Sequence, residues 1–269
     1  MAEVIARGIR FHVQRLGEER AHRGIIVFLH GLVMDNLSSW YFTVANPAAQ
    51  IAEVLLYDLR GHGHSERPKA GYTLADMVED LSALLDATAG GRPAHLVGNS
   101  FGGLLALAFA RTHPLRTASV ALVDAHLGDV GFGEQMAGTL ALEGEERDLK
   151  IAESFKDWLG RHSERKRNRL ANSARKLVGE TSLLVDMRAT PPLGASDFAA
   201  VQAPVLALYG ERSELRAKGE AFVRMLPHGE LVIVPGCTHS VLWEATDRVR
   251  SLLVGFLERV IAGEAGGAA

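Results

Sequence analysis

The chain has 269 residues, 47% of them hydrophobic, with a formal net charge of −3. That length and apolar content provide for one large α/β domain with an insertion, or two small domains. No basic block is long enough to suggest a nucleic-acid partner, and the single cysteine, Cys237, excludes an internal disulfide and a cysteine-based zinc site. The opening residues lack the apolar stretch of a signal peptide, and no segment approaches a membrane span of about 20 apolar residues. The expectation is a soluble, cytoplasmic protein without a membrane partner.

In chain order, apolar runs at 9–16, 24–29, 53–59, 94–97, 118–123, 205–209 and 231–234 predict strands. Several are continuously apolar, as strands covered on both faces should be. Helical patterns lie between them at 74–89, 101–113, 214–226 and 241–261. Alternating strand and helix predicts a parallel sheet flanked by helices, with the ligand site at the carboxyl ends of the strands.

The rhythm breaks between 126 and 198, a charged, helix-prone stretch without a convincing strand. It predicts a helical lid inserted into a core made of 1–125 and 199–269. Thr190-Pro191-Pro192-Leu193-Gly194 is the return linker, and the small-residue tail from Gly263 is expected to fray.

Gly98-Asn99-Ser100-Phe101-Gly102-Gly103 follows a strand run and opens a helix run. A serine centred in G-x-S-x-G on such a turn is pushed clear of the backbone, and both flanking positions need glycine. A serine nucleophile needs a base, because its free hydroxyl is weak at neutral pH. It also needs an acid to orient that base, and donors for an oxyanion. His239, in the loop between the last strand and the last helix, is the candidate base. His113 lies at a helix end, and His12, His22, His162 and His228 lie in exposed-looking polar segments.

The acid is less direct. The segment after the strand at 205–209 reads Gly210-Glu211-Arg212-Ser213-Glu214, with serine where aspartate would be expected. Either Glu211 or Glu214 reaches in from a shifted register, or Asp124, which ends the strand after the nucleophile helix, supplies the carboxylate. Asp124 is the preferred candidate. The amides of Leu32 and Phe101 are the candidate oxyanion donors, with Val33 as fallback. His30 is expected to hold the loop by hydrogen bonds. His62 and His64 lack the partners of a metal site, so no metal is expected.

These residues resemble the α/β-hydrolase superfamily across nearly the whole chain. Four elements match in order: His30-Gly31, the loop from Asp58 to Ser65, Gly98 to Gly103, and Gly236 to Ser240. The resemblance implies an eight-stranded, mostly parallel sheet, a helical lid and no cofactor. The serine at 213 departs from the usual pattern. It is similar to a subgroup of small esterases whose acid follows the strand after the nucleophile helix, and 24 residues separate Ser100 from Asp124 here. The Leu96–Gly103 stretch also resembles carbon–carbon bond hydrolases, which generally use the aspartate this chain lacks. Epoxide hydrolases and haloalkane dehalogenases need aspartate where Ser100 stands.

Within the insertion, Phe132, Met136, Leu140, Phe155, Trp158 and Leu159 are candidates to face a pocket or to pack the lid itself. Trp40, Tyr41 and Phe42 are candidates for an aromatic wall or for the core. His30 and Val33 complete the candidate pocket. The basic run Arg161, Arg165, Lys166, Arg167, Arg169, Arg175 and Lys176 reads as a solvated face, or as a dock for an acyl carrier protein. The expected function is a serine hydrolase acting on a small-molecule ester or thioester through an acyl-enzyme. Its rivals are a carbon–carbon hydrolase, for which Arg188 could meet a substrate carboxylate, an acyl-transferring or cyclising enzyme, and a non-catalytic binding protein.

Overall fold

A computed structural model describes residues 2–142 and 164–263. Eight strands form one sheet: β1 (Ala2–Ala6), β2 (Ile9–Leu16), β3 (Ile25–Leu29), β4 (Glu53–Tyr57), β5 (Ala94–Asn99), β6 (Thr117–Val123), β7 (Val205–Gly210) and β8 (Gly229–Val234). Their order is β1-β2-β4-β3-β5-β6-β7-β8. The β1–β2 and β2–β4 pairs are antiparallel, and every other pair is parallel. All seven predicted strands are present. β1 is the addition, and its burial is slight, so its five residues carry little of the apolar signal that marks a strand.

The parallel strands are apolar throughout because both faces are covered. Period-two alternation divides them between two cores. Ile25, Val27 and Leu29 face one core with Leu96 and Tyr209, while Ile26 and Phe28 face the other with Val97 and Leu208. The first core is closed by α2 (Leu74–Ala89) and α3 (Phe101–Thr112), together with helices from the region between β6 and β7. The second is closed by a helical segment at 38–48, here α1, and by the C-terminal helices.

Among the described residues, the stretch between β6 and β7 holds α4 (Phe132–Leu140), α5 (Glu164–Glu180), α6 (Leu183–Arg188) and α7 (Ala195–Ala199), and no strand. Phe155, Trp158, Leu159 and Arg161, and the side chains of Lys166 and Arg167, lie outside the described residues. The helix expected at 214–226 is α8 (Arg216–Val223). The one expected at 241–261 is two, α9 (Val241–Glu244) and α10 (Thr246–Ile261), broken where Ala245 leaves helical geometry at φ −129°. No described helix is long and apolar enough to cross a membrane.

Two side chains lie elsewhere than expected. Trp40 is not a pocket wall. It is fully buried in the second core, its ring 5.0 Å from that of Phe28, and its Nε1 donates to the Leu29 carbonyl at 3.0 Å. His12 is not in an exposed segment. It is buried on β2, with Nδ1 2.8 Å from Asp58 Oδ2. The apolar partners that bury Trp40 are distant in sequence, as is the carboxylate that draws His12 inward.

Trp40→Ala is expected to lower the free energy of unfolding by about 3–5 kcal/mol, the usual cost of emptying so large a core site. The exposed neighbour, Phe42→Ala, should stay within about 0.5 kcal/mol of wild type. Denaturant unfolding of the two variants checks this.

Candidate active site

The nucleophile candidate sits where β5 turns into α3. Ser100 has φ 54° and ψ −118°, a conformation rare for a residue with a side chain. Its neighbours leave no alternative to glycine. A Cβ on Gly98 would lie 2.3 Å from the Gly102 carbonyl oxygen, and one on Gly102 would lie 2.2 Å from that of Leu29. The turn is tied to the next strand, because the Ser100 amide donates to the Val123 carbonyl at 3.0 Å and the His126 amide donates to the Ser100 carbonyl at 3.2 Å.

His239 arrives on the loop after β8. Thr238 anchors that loop through its amide and hydroxyl, which donate to the Glu244 carboxylate at 2.6 and 2.8 Å. His239 Nε2 is 3.1 Å from Ser100 Oγ, and Nδ1 is 2.9 Å from Asp124 Oδ1. Asp124 is fully buried at the end of β6, with φ 44°. Its Oδ2 accepts from the Gly210 amide at 2.8 Å, and its Oδ1 accepts from Ser213 Oγ at 2.6 Å. An ionised carboxylate only accepts, so His239 presents Nδ1–H to Asp124 and the Nε2 lone pair to Ser100. Glu211 is exposed and accepts from the Gly236 amide at 2.7 Å, and Glu214 is exposed. Ser213, the residue that breaks the usual pattern, hydrogen-bonds the carboxylate that reaches His239.

On the other side of Ser100 lies the loop after β3. His30 is buried; its Nε2 accepts from the Leu59 amide at 3.0 Å and its Nδ1 donates to the Gly31 carbonyl at 2.7 Å. The ring thereby joins two loops. The Val33 amide is occupied, donating to His62 Nε2 at 2.7 Å. That bond removes the fallback oxyanion donor. Among the described residues, nothing accepts from the amides of Leu32 and Phe101. A pair of unpartnered amides flanking a serine is what an oxyanion requires.

His126 was not singled out by sequence. It lies two residues beyond Asp124, with its ring 5.5 Å from His239 and 5.3 Å from Phe132. Burial, then the nearby His239 and Lys218, push its pKa down to about 3, so it faces the site uncharged. Position on the strand-end loop of the acid is the signal that could have found it. Phe132 is buried beside it, and Met136 and Leu140 pack half-buried on the first core. Trp158 is outside the described residues. Among the described residues, no group of three or more His, Cys, Asp or Glu side chains could hold a metal.

Comparison with known proteins shows the family of the fold. The pattern of the alpha/beta hydrolase fold matches residues 24–246. The dihydrolipoyllysine-residue acetyltransferase component of the acetoin cleaving system of Cupriavidus necator is 39% identical over 127 residues, 47% of this chain and 31% of that protein. The chain thus matches less than a third of that relative's length. The 2-hydroxy-6-oxononadienedioate/2-hydroxy-6-oxononatrienedioate hydrolase of Paraburkholderia phymatum is 28% identical over 268 residues, covering 93% of this chain and 91% of that one. Among solved structures, the enol-lactonase of Burkholderia xenovorans LB400 superposes with a TM-score of 0.76 at 25% identity, over 95% of this chain and 99% of that one.

Three histidines, His62 and His95 buried and His126 half-buried, set an acid limit on the fold. Burial, then His30, holds His62 down at about 3; burial holds His95 at about 4; and His126 is at about 3. Unfolded, these rings titrate near 6.5. Below that pH the unfolded chain binds more protons, so each ring removes stability at about 1.4 kcal/mol per pH unit until its folded pKa is reached. The urea midpoint should be level above pH 7 and fall steadily from pH 6.5 to 4.5. His95→Gln should make that fall shallower, and a level profile in wild type would contradict the assignment.

Proposed function

The chain belongs to the alpha/beta hydrolase fold family, and on that premise we propose that it is a serine hydrolase that cleaves a carboxylic ester or thioester through an acyl-enzyme. One observation carries this reading: the hydrogen-bonded chain from Ser100 Oγ through His239 to the buried Asp124, at 3.1 and 2.9 Å. Ser100 Oγ attacks the acyl carbon while His239 Nε2 takes its proton. Asp124 holds the tautomer and offsets the imidazolium charge. The amides of Leu32 and Phe101 receive the oxyanion. On collapse, His239 returns the proton to the leaving alcohol or thiol, and water activated by the same nitrogen releases the acid. The condition that would favour a non-catalytic binding protein, no carboxylate at His239, is not met.

In this reading the helices between β6 and β7 are the lid, and Phe132 and His126 line the acyl side of the pocket. The enol-lactonase relative supports an ester, because a lactone is a cyclic ester. A thioester substrate would bring an acidic acyl carrier protein to the exposed Arg165, Arg175 and Lys176.

Carbon–carbon bond hydrolysis is the second reading, and the relative from Paraburkholderia phymatum, matched over most of both chains, is what favours it. That chemistry would use a free arginine for the substrate carboxylate. Arg188, the candidate for that role, is paired with Glu134 at 3.4 Å in an exposed ion pair that a substrate carboxylate could displace.

Turnover of p-nitrophenyl acyl esters across chain lengths separates these readings. Wild type should be active. Ser100→Ala should lose about 10⁶-fold and Asp124→Asn about 10⁴-fold in kcat, the scale of losing the nucleophile and the acid of such a triad. Glu214→Gln should stay near wild type. Loss in Glu214→Gln with activity kept in Asp124→Asn would reassign the acid. Inactivity on every ester with turnover of a ring-opened aromatic diketone would establish the second reading.

A further inference from the structure

A cavity of about 440 Å³ lies beside the loop after β3, and its walls include neither Ser100 nor His239. They come from four parts of the chain: His12 on β2, Asp58 and His64 after β4, Tyr41 and Phe42 on α1, and Arg169 on α5. Its volume is that of a small-molecule site.

The deepest group is a second histidine–carboxylate pair. The buried Asp58 takes His12 Nδ1 at 2.8 Å, the His64 amide at 2.9 Å and the Leu37 amide at 2.9 Å. Burial alone would raise this carboxyl, but those hydrogen bonds and the nearby His30 outweigh it and hold it below the usual aspartate range. An ionised Asp58 fixes the His12 proton on Nδ1 and leaves a lone pair on Nε2. His12 is only 5% exposed, and its Nε2 is buried without a hydrogen-bond partner among the described residues. An acceptor left in that state costs stability that a donor from a ligand would recover. Among the described residues, the exposed His64 stands beside that ring, edge-on at 5.2 Å and 84°. Exposed side chains rotate within nanoseconds, so rotation of His64 opens space beside the His12 ring.

The rim supplies the opposite polarity. Arg169 is exposed and, among the described residues, has neither a hydrogen-bond nor an ion-pair partner. Phe42 is 74% exposed, an unusual cost for so large an apolar ring, and stands edge-to-face with Tyr41 at 5.2 Å.

We propose that this cavity is a second binding site that takes a small hydroxy acid. The hydroxyl donates to His12 Nε2, the carboxylate pairs with Arg169, and the apolar body lies against Tyr41 and Phe42. The two carboxylates in the lining are already engaged, Asp35 by the Gly31 and Asn36 amides and the Ser39 hydroxyl, and Asp58 by His12 and the His64 and Leu37 amides. That leaves Arg169 as the unpaired charge among the described lining residues and disfavours a cationic ligand. A simple inorganic anion would bring no apolar body for the rings and no neutral hydroxyl for the lone pair. A hydrocarbon would leave both polar groups unmet. The site does not depend on the role given to Ser100.

Calorimetric titration with 4-hydroxybenzoate tests this, against benzoate and phenol, which each keep one of its two polar groups. Saturable one-to-one binding of 4-hydroxybenzoate is expected, with benzoate and phenol at least about tenfold weaker, the scale of one hydrogen bond to a buried or charged group. Arg169→Ala and His12→Phe should each weaken 4-hydroxybenzoate by about tenfold or more, and the Ser100→Ala protein should bind it as wild type does. Because His12 also braces Asp58, circular dichroism checks the fold of His12→Phe; should that variant unfold, Arg169→Ala and Phe42→Ala, both on the surface, carry the test. No saturable binding of 4-hydroxybenzoate or its 3-hydroxy isomer would overturn the proposal. So would binding indifferent to Arg169→Ala, or binding lost in Ser100→Ala.

Discussion

The rest of this site depends on a buried charge, the Asp124 carboxylate. It is wholly removed from water at the end of β6, where an ionised group survives only if its lone pairs are met. The Gly210 amide, the Ser213 hydroxyl and His239 Nδ1 meet them. Those donors lie at the end of β7, on the loop after it, and on the loop after β8. One carboxylate therefore fixes the relative position of three strand ends, and with them the imidazole that reaches Ser100. Gly210 belongs to the same constraint, because a Cβ there would lie 2.3 Å from the Thr238 carbonyl oxygen, in the loop that carries His239.

Much of this was legible in sequence because it rests on local rules. Continuous apolar runs identified the parallel strands. The glycines around Ser100 announced a turn too tight for side chains. Asp124 stood out because an aspartate ending an apolar strand has few surface roles. What sequence did not show depends on contacts between distant segments. Trp40 could wall a pocket or fill a core, and only the packing of α1 against Phe28 decides between them. His12 lies on a strand that reads as polar, and its burial follows from Asp58, 46 residues later. β1 is too short and too exposed to carry a pattern. The break at Ala245 follows no sequence signal, since alanine favours helix.

The described residues include two histidine–carboxylate pairs of one design, on either side of the loop after β3. In each, a buried aspartate at a strand end holds Nδ1 and frees Nε2. At His239 Nε2 meets a serine hydroxyl held in a strained turn; at His12 Nε2 meets no partner among the described residues. The difference comes from what the topology places opposite. β5 and α3 deliver Ser100 to the first, whereas β2, α1 and α5 deliver a cavity with an arginine at its rim to the second. The loop that separates them is tied to the segment after β4, Val33 to His62 and Leu37 to Asp58, and is braced within itself by Gly31 to Asp35.

The claim at the centre of this account is that Ser100 is a nucleophile activated through His239 by Asp124. Covalent labelling by a fluorophosphonate, followed by intact mass and peptide mapping, tests it without knowledge of the substrate. The account predicts a single adduct on Ser100 and, in Asp124→Asn, a labelling rate lower by at least about a hundredfold, since the histidine then loses the partner that sets its tautomer. An adduct on another residue, or an Asp124→Asn protein labelled as fast as wild type, would contradict it.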